Sequence, residues 1–151
     1  MEIRLPSKTL TVKNIVLDYN GTIAKDGAVK KSVKEYLKKL ENFDIYVVTA
    51  DTHGSARENL KDTNVKVKIL TTADHTREKE EFVKSLKNTF AVGNGSNDAL
   101  MLKSAEIGVC VIEDEGASVK ALVNSDIVCR SIEEAFELLL NPKRIVATLR
   151  V

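Results

Sequence analysis

Asn14-Ile-Val-Leu-Asp18-Tyr-Asn-Gly-Thr22 passes from an unbroken apolar run into a polar turn. An apolar run that ends in a carboxylate and then the tight-turn pair Asn20-Gly21 reads as a strand buried on both faces. The same grammar recurs outward along the chain. Ile45-Tyr-Val-Val48 runs into Thr49-Ala-Asp51, Val65 to Leu70 is a further run, and Thr89-Phe-Ala-Val92 breaks into Gly93-Asn-Gly-Ser-Asn-Asp98. Ile107 to Ile112 and Ile127 to Cys129 complete the series. Helix-period segments lie between. Ser32 to Leu40 carries Val33, Tyr36, Leu37 and Leu40 on one stripe behind a Ser N-cap, and Glu78 to Leu86 carries Phe82, Val83 and Leu86. Ser55 to Leu60, Ala99 to Ser104, Ala117 to Val123 and Ile132 to Leu140 are the other helices. Apolar strands alternating with helices predict an α/β domain, a doubly wound parallel sheet covered on both faces. Ile3 to Leu5 and Leu10 to Val12, around Pro6-Ser-Lys8, add a small N-terminal hairpin.

The chain has 151 residues, which predicts a single domain over 1–151. Its 43% hydrophobic and 30% charged content excludes a disordered tail or a disulfide miniprotein. Twenty-three basic against twenty-two acidic side chains leave +1, so no nucleic-acid partner is expected. No apolar run approaches the roughly 18 to 20 residues that span a bilayer, and Met-Glu-Ile-Arg-Leu-Pro is not a signal peptide. The expectation is a cytoplasmic protein without a membrane partner. Cys110 and Cys129 fall in apolar strands and read as buried free thiols, and the two His and two Cys show no zinc spacing.

Doubly wound sheets bind ligands at the carboxyl ends of their strands. Three segments break polar at that edge: Asp18 to Thr22, Thr49 to Asp51 and Gly93 to Asp98. Any one of them alone serves as a turn or a helix cap. Their order and spacing together go beyond what capping needs. A carboxylate at a strand tip can attack a phosphorus in line and form an aspartyl phosphate. The turn after it offers backbone N–H groups for phosphoryl oxygens. A hydroxyl and an ammonium can hold the transferred group, and oxygen ligands suit Mg2+.

These segments resemble the motifs of the haloacid dehalogenase (HAD) superfamily of phosphotransferases over nearly the whole chain. That pattern is an apolar strand ending in Asp-x-Asp-Gly-Thr, a strand ending in Ser or Thr, a Lys near a helix start, and a late Gly-Asp-Gly-x-Asn-Asp loop. The counterparts are Asp18-Tyr-Asn-Gly-Thr22, Thr49, Lys79 and Gly93-Asn-Gly-Ser-Asn-Asp98. The last loop, continuing to Leu102, is most similar to the phosphorylation domain of P-type ATPases and its soluble relatives. The resemblance implies Asp18 as nucleophile, Asn20, Thr49 and Lys79 as the other catalytic positions, and Tyr19, Gly21, Thr49, Ala50 and Lys79 around the phosphate. It implies a Mg2+ cofactor on the Asp18 carboxylate, the Asn20 carbonyl and the Asn94 side chain, with Asp98 direct or through water. Lys84 and Lys87 compete with Lys79, which opens its helix as the family Lys does.

Two positions depart from the family. Asn20 stands where the phosphatases carry an acid/base Asp, and Asn94 replaces a metal-loop Asp. Loss of acid–base help costs about 10²- to 10⁴-fold in rate, so the expectation is a slow phosphohydrolase or phosphotransferase. The alternative is a catalytically silent phosphate- or nucleotide-binding or regulatory module of the same fold. The spacing leaves no room for a cap domain, although Thr22 to Val29 can form a small flap. An open site suits a phosphorylated small molecule, a nucleotide or a phosphoprotein, or a homo-oligomer that closes it. His53 lies on the active rim, and His75 reads as a solvated loop residue. The basic amphipathic segment Asn141 to Val151 reads as a tail packed on the domain or as a subunit interface.

Overall fold

The chain begins with the expected hairpin, β1 (Glu2–Arg4) antiparallel to β2 (Thr9–Thr11). This computed structural model describes residues 1–151. Strand β3 (Asn14–Asp18) follows, then a two-stranded flap, β4 (Ala24–Lys25) and β5 (Ala28–Val29), turning through Asp26-Gly27. The flap is the only element between β3 and α1 (Lys31–Lys39), and no cap is inserted there. The remaining order is β6 (Asp44–Thr49), α2 (Ser55–Leu60), β7 (Lys66–Ile69), α3 (His75–Leu86) and β8 (Thr89–Gly93). A 3₁₀ turn over Ser96–Asp98 leads into α4 (Ala99–Ser104), β9 (Ile107–Val111), α5 (Val119–Val123), β10 (Ile127–Cys129), α6 (Ile132–Leu140) and α7 (Lys143–Leu149).

Six strands form one parallel sheet in the order β10-β9-β8-β3-β6-β7. Side chains alternate between its faces, and burial follows that parity. Ile15, Leu17, Val47, Val92 and Val109 join the larger apolar cluster, together with residues of α1, α2, α6 and α7. Val16, Val48, Ala91 and Cys110 face the other way, into a smaller cluster with residues of α3, α4 and α5. Both cysteines are buried and free. No helix is long and apolar enough to cross a membrane.

The order of strands reverses between β3 and β8, because the chain builds outward through β6 and β7 and then returns to the other side of β3. The carboxyl ends of these two strands therefore frame a topological switch point, where such sheets open a crevice.

Two local readings are corrected, and of the two readings of the C-terminal segment the packed tail is borne out. Helix α1 starts at Lys31 without a side-chain cap, and the Ser32 hydroxyl donates instead to Glu133 of α6 at 2.8 Å. A tertiary carboxylate there outcompetes the local capping bond. Helix α3 starts at His75, capped by the Asp74 carboxylate, which accepts from the Arg77 N–H at 3.1 Å. His75 is thus helical and Lys79 lies in the second turn. The C-terminal segment forms α7 behind Pro142, a residue with its φ already set for a helix start. Ile145 is buried and Val146 and Leu149 pack on the larger cluster, so this tail covers the domain.

Candidate active site

Asp18 shares the parity of Val16, and so its side chain turns to the face that α3 covers. One Asp18 oxygen, Oδ1, accepts from Lys79 Nζ at 2.8 Å, and Nζ also donates to Asp98 Oδ1 at 2.8 Å and Asn97 Oδ1 at 3.3 Å. Lys79 is 3% exposed and Asp98 is 0% exposed. The competitor Lys84 pairs with Glu80 on the surface. Burial pulls the Lys79 ammonium toward neutrality, but the Asp18 and Asp98 carboxylates outweigh it and hold its pKa above the usual lysine value. Asp18 is pushed up to about 7, first by burial and then by the Asp98 charge, against the lowering effect of Lys79. Two carboxylates share one cation here, and the carboxylate nearer solvent carries the excess.

The loop after β8 folds around Asp98. The N–H groups of Asn94 and Gly95 donate to Asp98 Oδ2 at 3.0 and 2.9 Å. A Cβ on Gly93 would meet the Asp98 carboxyl carbon at 2.5 Å, so only glycine lets the side chain pass. With both oxygens engaged, Asp98 forms the floor beneath the site. The resemblance implies Asp98 at the metal, directly or through water, from this position beneath the other ligands.

Above that floor opens a cleft of about 360 Å³ lined by Asp18, Asn20, Thr49, Ala50, Lys79 and Asn94, with Asp51, His53, His75 and Glu115 on its walls. The Thr49 hydroxyl accepts from the Asp51 N–H at 3.1 Å and keeps its own proton free to donate. Asp51 takes the capping role, accepting from the Ala56 N–H of α2 at 2.8 Å. The N–H groups of Tyr19, Asn20 and Ala50 have no acceptor within the chain. Gly21 differs: its N–H donates to the Ala24 carbonyl at 3.0 Å, and so it is not free for a phosphate. The Tyr19 side chain is buried away from solvent, with its hydroxyl donating to the Gly27 carbonyl at 2.8 Å and accepting from Asn59 at 3.0 Å. Only its backbone remains for a ligand. The sequence reads His75 as a solvated loop residue and gives no sign of Glu115, yet both stand on the cleft wall. Their position on the wall depends on where α3 starts and on how the turn after β9 folds back.

The Thr22 hydroxyl lies between Asp18 Oδ2 at 3.2 Å and Asn94 Oδ1 at 3.5 Å. The Asn20 carbonyl accepts no hydrogen bond. Asp18, the Asn20 carbonyl and Asn94 thus offer hard oxygen donors at one end of the cleft, a set that suits Mg2+. No group of three or more His, Cys, Asp or Glu side chains is gathered closely enough to hold an ion. The neutral amides at 20 and 94 keep the carboxylate count low.

No family model matches the chain. The uncharacterized protein MJ0073 of Methanocaldococcus jannaschii is 53% identical over 64 residues, which are 42% of this chain and 69% of that protein. A soluble P-type ATPase-like phosphatase of the same organism is 26% identical over 123 residues, 78% of this chain but only 45% of that protein. Among solved structures, 3-deoxy-D-manno-octulosonate 8-phosphate phosphatase from Moraxella catarrhalis, in complex with magnesium, phosphate and KDO, superposes with a TM-score of 0.70 at 16% identity over 90% of each chain. A Legionella pneumophila protein assigned to subfamily III A of the HAD superfamily gives 0.69 at 12% identity over 91% of this chain and 87% of that one. A zinc-transporting PIB-type ATPase in the E2P state gives 0.64 at 18% identity over 79% of this chain and 20% of that one. The chain therefore belongs to one family with MJ0073 and carries the fold of the haloacid dehalogenase superfamily of hydrolases.

Proposed function

We propose that the protein is a Mg2+-dependent phosphohydrolase or phosphotransferase in which Asp18 is the nucleophile. The observation that carries this reading is the Asp18 carboxylate at the β3–β8 switch point, held 2.8 Å from the buried Lys79, beside backbone N–H groups that have no partner. A purely structural carboxylate would be either capped or exposed. This one is buried, short of countercharge and open to a cleft.

Asp18, the Asn20 carbonyl and Asn94 are the residues that would hold Mg2+, with Asp98 beneath them. Bound there, the ion supplies positive charge to a phosphoryl group. The chain's own groups do the rest. An Asp18 oxygen attacks phosphorus, the bond from phosphorus to the leaving oxygen breaks, and the phosphoryl group passes to Asp18. The Lys79 ammonium, the Thr49 hydroxyl and the N–H groups of Tyr19, Asn20 and Ala50 offset the charge on its oxygens. Asn20 cannot give a proton to the leaving group, nor take one from the water that then attacks phosphorus. Solvent has to supply the first proton and accept the second, so hydrolysis of the acyl phosphate is slow. When water does attack, the bond between phosphorus and the Asp18 oxygen breaks, releasing inorganic phosphate. The cleft opens without a cap, which suits phosphorylated small molecules with good leaving groups, nucleotides or a phosphoprotein segment.

The test is a Mg2+-dependent screen of acyl phosphates, aryl phosphates and ATP against an Asp18→Asn control. Aryl and acyl phosphates react ahead of alkyl monoesters, and the control is inactive. Activity surviving in the control overturns the nucleophile. No turnover of any activated phosphate, with phosphate still bound, makes the chain a silent binding module built on the same site.

A further inference from the structure

The turn after β9 carries three consecutive acids, Glu113-Asp114-Glu115, and they are used in different ways. Glu113 pairs with Lys30 and accepts from the Ile132 N–H at 3.1 Å. Asp114 pairs with Lys25 of the flap at 2.6 Å. Glu115 has no cation and no N–H, and it lines the same cleft as Asp18 and Asn94.

Its position is set by the backbone. The Asn94 side chain donates through Nδ2 to the Gly116 carbonyl at 3.1 Å, and the Ser118 N–H donates to the Asn94 carbonyl at 2.8 Å. The residue after Glu115 is thereby fastened to the side chain that would ligate the ion. Gly21, with φ +79°, completes the arrangement. A Cβ there would lie 2.5 Å from Glu115 Oε2, 2.6 Å from Asn94 Nδ2 and 3.1 Å from Asn94 Oδ1. Carboxylate and amide thus share the space over the Gly21 α-carbon, next to the free Asn20 carbonyl.

We infer that Glu115 supplies, from the turn after β9, the carboxylate that positions 20 and 94 lack, and that it ligates the divalent cation beside Asn94, directly or through a bound water. The inference rests on the proposed metal-dependent reading of the site and adds a ligand to it. The physical need is plain: Mg2+ takes one or two carboxylates, and Asp98 is already spent on Lys79 and two N–H groups, which leaves Asp18 alone. An unpaired Glu115 also opposes a bare phosphate, so phosphate and cation are expected to bind together.

Calorimetric titration with Mg2+, and with Mn2+ followed by water-proton relaxation, tests this on the full chain without substrate. Glu115→Gln weakens binding by roughly 10-fold or more, the scale found for groups that support a metal site. Asp114→Asn removes the same charge one residue away, where it is paired to Lys25, and leaves affinity within about 2-fold, the size of a weak exposed ion pair. Asn94→Asp in the Glu115→Gln background restores binding. Equal losses in Glu115→Gln and Asp114→Asn reduce the effect to general electrostatics and overturn the inference. Unchanged affinity in Glu115→Gln, with loss in Asp18→Asn, also overturns it while leaving the metal site standing. If the parent binds neither ion with or without inorganic phosphate, both readings fall together. Circular dichroism of each variant separates misfolding from lost ligation.

Discussion

The two ends of the cleft are built on opposite principles. The inner end, Asp18, Lys79 and Asp98, is charged, buried and almost fully paired within the chain. The outer end, Asn20, Asn94 and Glu115, is neutral except for one unpaired carboxylate, and its donors wait for something the chain does not supply. The inner end has to be satisfied for the domain to fold, because a buried charge without a partner is costly. The outer end is largely exempt, since water solvates the exposed Asn20 and Glu115 until a ligand arrives and the Gly116 carbonyl holds the buried Asn94 amide. Substitutions inside should therefore act on stability first, and those outside on binding and rate.

The largest effect is expected at Lys79. Lys79→Met keeps the aliphatic stem and removes the only cation shared by two buried carboxylates. Breaking such a pair costs about 3–5 kcal/mol, to be read as a loss of stability in urea at pH 7.5. A change below about 1 kcal/mol, the scale of exposed ion pairs, would mean that the cluster is hydrated.

Asp18→Asn sharpens the contrast by having the opposite sign. The folded-state pKa of Asp18, about 7, lies above the value of 3.8 it starts from. The folded chain then holds this proton more tightly than the unfolded chain. The associated stability is present at low pH and is lost as pH rises from about 4 through about 7. The metal-free Asp18→Asn variant, lacking that titration, should match the parent below about pH 4 and melt several degrees higher at pH 8. Parallel Tm curves for the two proteins across this range would remove the excess carboxylate charge from the account.

At the outer end, Asn20→Asp restores an acid and base at nearly constant shape. A gain of roughly 10-fold or more in hydrolysis of aryl phosphates is expected from general-base assistance, with folding stability almost unchanged. A phosphoenzyme seen by mass spectrometry in the parent should fade in this variant. Loss of stability in place of a gain in rate would show that position 20 belongs energetically to the inner end.

The two ends also differed in how far the sequence revealed them. Asp18 and Thr49 were legible because strand termini are local signals, and the fold follows from the same alternation of strands and helices, whereas Lys79 stood out from Lys84 and Lys87 only through the family resemblance. The pairing of Asp98 with Lys79 was not, since it depends on Gly93 letting the side chain pass beneath the loop. Glu115 was invisible for a related reason. Three acids in a turn read as a solvated run, and only the positions of Lys25 and Lys30 on neighbouring elements show which of them is left over. Ser32 failed as a cap because its partner, Glu133, is a hundred residues away along the chain.

The smallest expected effect tests the joint between the two ends. Thr22 is 1% exposed, and its single hydroxyl proton faces Asp18 Oδ2 at 3.2 Å and Asn94 Oδ1 at 3.5 Å. It can serve only one of them well at a time, and the shorter contact to a charged acceptor favours Asp18. Thr22→Val is close to isosteric and removes that bond without opening a cavity. The cost in stability should be about 1 kcal/mol, the usual net worth of one hydrogen bond. Its sign with pH is the informative part. The hydroxyl favours the ionised carboxylate, so its loss lifts the Asp18 pKa further, and the pH at which the metal-free protein loses stability relative to Asp18→Asn should move upward. If the hydroxyl instead serves Asn94, Thr22→Val leaves that midpoint in place and frees the amide oxygen. The change would then appear in the Mg2+ titration alone, and Thr22 would belong to the outer end.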